Sequence, residues 1–128
     1  MASADVTTVR ADVASSPIQK IETHSTSATL TAEDCYGKVH TNKGASGTVT
    51  LTLPTPAAGL SFEIFRPVAH SIVLNPGTGY SMMNSSGAVL STAIKLSVAT
   101  TGGTGKFLAV DAVGWQFMGG TGTFSSAG

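Results

Sequence analysis

The stretch Thr48-Val49-Thr50-Leu51-Thr52-Leu53-Pro54, TVTLTLP, alternates threonine with branched apolar residues without a break. Side chains along a β-strand point to opposite faces in turn, so the pattern predicts a strand with Val49, Leu51 and Leu53 inward. Thr48, Thr50 and Thr52 then face outward. The same period recurs in LSFEIF (60–65), which puts Leu60, Phe62 and Ile64 on one face. Shorter runs follow at IVL (72–74), IKLSV (94–98), KFLAV (106–110) and GWQFM (114–118). Between them lie NKGASG, PTPAAG, NPGTG, NSSG, TTGGTG and DAVG, which carry the glycine, proline and asparagine of turns. No segment after residue 30 has a helical period. The expected fold is all-β, an antiparallel sandwich or barrel of jelly-roll-like type spanning 29–128. Leu51, Leu53, Phe62, Ile64, Trp115 and Phe117 are its expected core anchors.

Residues 1–28 have a different character. They contain no aromatic residue and no glycine, and Val6, Val9, Val13, Ile18 and Ile21 are thinly spread along them. Val6, Val9 and Val13 are spaced for a short helical stripe after Ser3, but β-branched residues make such a helix weak alone. An extended N-terminal arm that becomes ordered against a partner is the expectation. Its five apolar residues are the candidate anchors to that partner.

Only 11% of the 128 residues are charged, where soluble domains ordinarily carry roughly 25%. Seven basic residues balance seven acidic ones, so nothing predicts a nucleic-acid or anionic-membrane partner. A surface poor in charge fits either a chain covered by neighbouring subunits or a monomer with a Thr/Ser-rich exterior. Cys35 is the only cysteine, which excludes an intrachain disulfide framework. No run approaches the roughly 18 apolar residues of a membrane-spanning helix, and MASADVTTVR lacks the pattern of a secretory signal. These features predict a protein made in a cytosol and, if released, released by a non-secretory route.

Candidate chemistry is sparse. TTGGTGKF (100–107) has the ingredients of a phosphate loop, yet aligning Gly105-Lys106 with the Gly-Lys of such a loop puts Thr100 at the first glycine and Phe107 at the metal-binding hydroxyl. A strand pattern follows where a helix is required, so the expectation is a wide hairpin turn between IKLSVA and KFLAV. His24, His40, His70, Cys35, Glu33 and Asp34 have no compact metal-ligand spacing, so surface or interface histidines are expected, with no metal and no cofactor. Cys35 reads as a small buried hydrophobe. No G-x-S-x-G elbow occurs, and of the few carboxylates Glu63 is expected on the outer face of its strand. No catalytic residue is assigned, and the chain is not expected to be an enzyme. Met82-Met83, beside Tyr80, is expected in a loop, packed on a partner or on the loop itself.

In order, DCYGKVHTNKGASGTVTLTLPTPAAGLSFEIF (34–65), IVLNPGTG (72–79), the glycine turn, the Trp115 strand and GTGTF (120–124) resemble a module of tailed-phage virion proteins. The likeness spans about 90 residues and departs at Phe124, where tryptophan is common, and at Asp34-Cys35-Tyr36-Gly37, where a serine commonly precedes the glycine. It implies a virion structural protein, commonly trimeric. The implied role is a capsid decoration (cement) protein, assembled in the host cytoplasm and seated on the capsid exterior. Its partners would be the major capsid protein and itself as a homotrimer, with arms 1–28 spread over neighbouring capsid subunits. The alternative implied role is a head- or tail-fibre receptor-binding domain using loops 75–87 and 100–106.

Overall fold

The computed structural model describes residues 20–84, 89–91, 94–96, 102–121 and 124–126. It is built almost wholly of strands: β1 (Ile21–Thr23), β2 (Ala28–Thr29), β3 (Tyr36–Thr41), β4 (Val49–Thr52), β5 (Ser61–Arg66), β6 (Ile72–Asn75), β7 (Ser81–Met83), β8 (Val89–Ser91), β9 (Ile94–Leu96), β10 (Gly103–Leu108), β11 (Gly114–Gly119) and β12 (Phe124–Ser126). Among the described residues a single 3₁₀ turn, Ala32–Cys35, leads into β3. One sheet has the order β1-β3-β5-β10-β11-β7-β8 and the other β12-β9-β6-β4-β2.

The strand faces follow the sequence. In β4 and just beyond it, Val49, Leu51 and Leu53 are buried, and in β5 Phe62 and Ile64 are buried while Glu63 and Phe65 are exposed. Val49, Leu51, Leu53, Ile72, Leu74 and Ile94 from one sheet join Phe62, Ile64, Met82, Phe107 and Trp115 from the other in one apolar core. Phe117 is half-buried against it. Met82 is fully buried in strand β7, so the methionine pair belongs to a strand and not to the expected loop.

The expectation of antiparallel sheets is corrected. Both sheets are mixed: β1/β3, β3/β5, β2/β4, β4/β6 and β11/β7 pair parallel. From β1 to β6 the chain alternates between sheets, so each strand returns beside the one laid down two strands earlier, running the same way. A period of two reports which face is buried and carries no information about the direction of the neighbour. β10 and β9 are then inserted antiparallel to β5 and β6.

The expected hairpin at TTGGTGKF is also corrected. β9 and β10 lie in different sheets, so this stretch joins sheets. Gly102 has φ +98, and Gly103 already begins β10. Gly105 is required for space: a Cβ there would lie 2.6 Å from the Phe124 ring, closer than packed atoms tolerate. The sheets also begin inside the segment assigned to the arm, since Ile21–Thr23 and Ala28 are strand residues. Val6, Val9, Val13 and Ile18 lie outside the described residues.

Candidate functional site

β1 is a three-residue strand at one edge of its sheet, in register with β3 as Ile21↔Val39, Glu22↔His40 and Thr23↔Thr41. β3 continues the register to β5, with His40 opposite Ile64 and Thr41 opposite Phe65. The pleat therefore divides this edge into two surfaces. One carries Ile21, Thr23, Thr41 and Phe65. The other carries Glu22, His40 and Ile64 and faces the core.

On the outer surface, Ile21 is 65% exposed and Phe65 39%. They line an open groove of about 560 Å³ with Thr23, Thr41, Pro67 and Val68, Lys43 being the one charge among its lining residues. Ile21 is thus the one sequence-assigned anchor whose position is described, and it stands on an apolar surface at a strand edge with no neighbouring strand among the described residues. Such an edge presents backbone N–H and C=O groups to another chain.

On the inner surface the chain buries polar groups. His40 is fully buried and His24, just after β1, is 5% exposed, which corrects the expectation of surface histidines. Their rings stack with centroids 5.1 Å apart, and His24 Nε2 lies 2.9 Å from His40 Nδ1. His40 Nε2 lies 2.8 Å from the Asp34 carbonyl oxygen. A carbonyl only accepts, so Nε2 of His40 carries the proton and its Nδ1 accepts from His24 Nε2–H. His40 is neutral in this arrangement, and burial, foremost, lowers the pKa of both rings.

Glu22, Asp34 and Lys38 complete the cluster. Asp34 Oδ2 accepts from the Thr31 amide at 2.9 Å, capping the 3₁₀ turn, and Lys38 Nζ donates to Asp34 Oδ1 at 2.9 Å and to Glu22 Oε1 at 3.2 Å. The Thr31 amide and then Lys38 hold the Asp34 carboxyl well below the usual carboxylate range. The hydrogen bonds to Asp34 and Glu22 in turn raise the Lys38 pKa.

These directions fix a pH dependence. A histidine whose folded pKa is depressed binds more protons when unfolded, so stability is lost as pH falls below the unfolded value of about 6.5. The melting temperature is expected to drop between about pH 7 and 5, with a further loss near pH 4 and below as Asp34 takes up its proton. His24→Gln should flatten the upper limb and leave the lower one. Calorimetric melting of both chains across this range is the check, and an upper limb unchanged in H24Q would contradict it.

Other candidates resolve simply. Cys35 is fully buried, and desolvation pushes its thiol up to about 12, so it is a packed hydrophobe and not a thiolate nucleophile. Asn42 and Arg66, both buried, converge on the turn after β5. Asn42 Nδ2 donates to the Val68 and His70 carbonyls at 3.3 and 3.0 Å, and Arg66 Nη1 donates to the same two at 3.4 and 3.3 Å. In TTGGTGKF, residues 103–107 pair with β5 on one side, and 106 and 107 also pair with β11 on the other. The backbone amides a phosphate would need are therefore largely committed to the sheet, and Lys106 stands opposite Glu63. The small cavity there, about 240 Å³, is lined by that pair with Thr104, Gly105, Gly119 and Gly120.

Compared with known protein families and with curated proteins, the chain matches none.

Sequence reasoning missed the histidine pair because His24 and His40 are far apart along the chain and meet only through the parallel register. A signal was present. Lys20-Ile21-Glu22-Thr23-His24 and Lys38-Val39-His40-Thr41-Asn42 share the pattern Lys, β-branched apolar, polar, Thr, polar, and the structure pairs Ile21–Thr23 with Val39–Thr41 strand beside strand. Among the described residues, Glu22, His24 and His40 are the one group of three ligand-type side chains whose donor atoms lie within 4.8 Å of one another.

Proposed function

We propose that this chain is a decoration (cement) protein of a tailed-phage capsid, a non-enzymatic component seated on the particle exterior. In this reading the two sheets form a jelly-roll-like sandwich that trimerises, and the N-terminal segments reach across neighbouring major capsid subunits. The observation that carries it is the β1 edge. The segment bearing Val6, Val9, Val13 and Ile18 leads into β1, the edge strand of its sheet among the described residues, whose outer surface borders an apolar groove. A scaffold whose exposed edge and groove lie at the root of a segment carrying spaced apolar residues suits attachment to a repeating surface. The sparse charge supports it too, since trimer and capsid contacts would cover much of the surface.

Three tethered segments add through effective concentration, so modest individual contacts give firm attachment. The edge strands are short, two or three residues each. That length limits uncontrolled edge pairing while leaving room for one specific partner.

Copy number tests the assignment. Quantified against the major capsid protein in purified particles, a cement protein is expected at a ratio near one copy per capsid subunit. A few copies per particle would overturn the reading and point to the fibre or receptor-binding role.

A further inference from the structure

We propose that Glu22, His24 and His40 form a binding site for a divalent transition-metal ion of zinc type, which clips the edge strand β1 to β3. Two imidazole nitrogens and one carboxylate oxygen form a three-ligand set that zinc accepts, leaving a fourth position for water or a partner's side chain. The site is independent of the capsid assignment, because it rests only on side chains within this domain.

The geometry is close to what the ion needs. His24 Nε2 and His40 Nδ1 are 2.9 Å apart, and the two Glu22 carboxylate oxygens each lie 4.0 Å from one of them, Oε2 from His24 Nε2 and Oε1 from His40 Nδ1. Zinc bonds of about 2.0–2.1 Å put tetrahedral ligand atoms roughly 3.3 Å apart. The nitrogens must therefore separate by a few tenths of an ångström and one carboxylate oxygen must close by up to about 1.5 Å from within 4.8 Å of both nitrogens. The Glu22 side chain is 39% exposed, so core packing does not lock its carboxylate in place.

The surroundings prepare the ligands. His40 Nε2–H donates to the Asp34 carbonyl, the outer contact that fixes a ligating imidazole with its other nitrogen's lone pair aimed at the metal. His24 changes only its tautomer: its proton moves from Nε2 to Nδ1 and Nε2 becomes a ligand, with no net proton released. Burial favours the neutral rings, the form that binds metal. Lys38 is the cation now held by Glu22. When the carboxylate turns to the ion, Lys38 keeps its shorter contact with Asp34, at 2.9 Å, so no charge is stranded.

The position explains what an ion would do. Glu22 is the middle residue of β1, His24 follows that strand directly, and His40 lies in β3. An ion bound to all three adds a link across a strand pair only three residues long.

The test uses the tag-free full chain, stripped with chelator and titrated at pH 7.5 with zinc chloride by calorimetry and with cobalt chloride by visible absorption. One ion per chain is expected, together with the d–d bands of a four- or five-coordinate N/O cobalt site and a rise in melting temperature that EDTA reverses. Glu22→Gln, at a half-exposed position that leaves the fold intact, should weaken binding by at least about tenfold, the loss that even an outer contact's removal produces. Lys38→Met, which removes the competing cation, should bind more tightly than the parent. Absence of saturable one-to-one binding in the parent would overturn the proposal, as would binding that Glu22→Gln leaves unchanged.

Discussion

Phe62→Ala is expected to lower stability by about 3–5 kcal/mol, the cost of deleting a fully buried phenylalanine from a core that cannot collapse around the gap. Phe62 is fully buried in β5, which is flanked by β3 and β10 at the interior of its sheet. Its ring stacks on Phe107 with centroids 5.3 Å apart and meets Trp115 edge-on at 5.2 Å and His40 edge-on at 6.2 Å. Removing it takes away the common neighbour of three buried rings. Because small domains have about 5–15 kcal/mol in total, the variant should be marginal at 37 °C. Urea unfolding of parent and variant measures the loss from the shift in midpoint. A loss below about 1 kcal/mol would contradict the central place given to Phe62.

That position was legible from sequence alone, and the reason is simple. Alternation in TVTLTLP and LSFEIF states which side of each strand is apolar, and a strand with one apolar side buries it. Leu51, Leu53, Phe62, Ile64 and Trp115 all became core residues on that ground. Strand direction was not legible, because parallel and antiparallel neighbours ask for the same alternation. The β1/β3/β5 and β2/β4/β6 stacks therefore had no counterpart in the sequence reading.

The polar cluster was hidden for a related reason. Histidines sixteen positions apart, as His24 and His40 are, match no local ligand spacing. Their meeting depends on Glu22 and His40 being register partners across a parallel pair. Asp34 and Lys38 were likewise readable only as surface charges. In the structure they fix the turn into β3 and hold Glu22 in place. The glycine stretch shows the opposite case. Its failure as a phosphate loop was legible at Thr100 and Phe107, while the demand for glycine at 105 depends on Phe124, which only the fold brings near.

The second large effect concerns attachment. The sequence divides an arm with thinly spread apolar residues from the β-domain near residue 28, but the sheets begin earlier. Val39 N–H donates to the Lys20 carbonyl, Ile21–Thr23 pair with β3, and His24 supports His40. A truncation ending at residue 28 would remove β1 and half of the histidine pair, confounding loss of attachment with loss of fold. Deleting residues 1–19 keeps every described contact and removes four of the five candidate anchors, Val6, Val9, Val13 and Ile18. In the proposed trimer, where three arms act through effective concentration, their joint loss is expected to cost on the order of 10²–10⁴ in apparent affinity.

The direct measurement is therefore co-sedimentation of the full chain and of the chain lacking residues 1–19 with expanded capsids free of the endogenous protein. Circular dichroism and the melting temperature serve to establish that both fold alike. The account predicts saturable binding of the full chain and none detectable at the same concentration for the truncated one. Equal binding by the two, or no binding by the full chain, would contradict it.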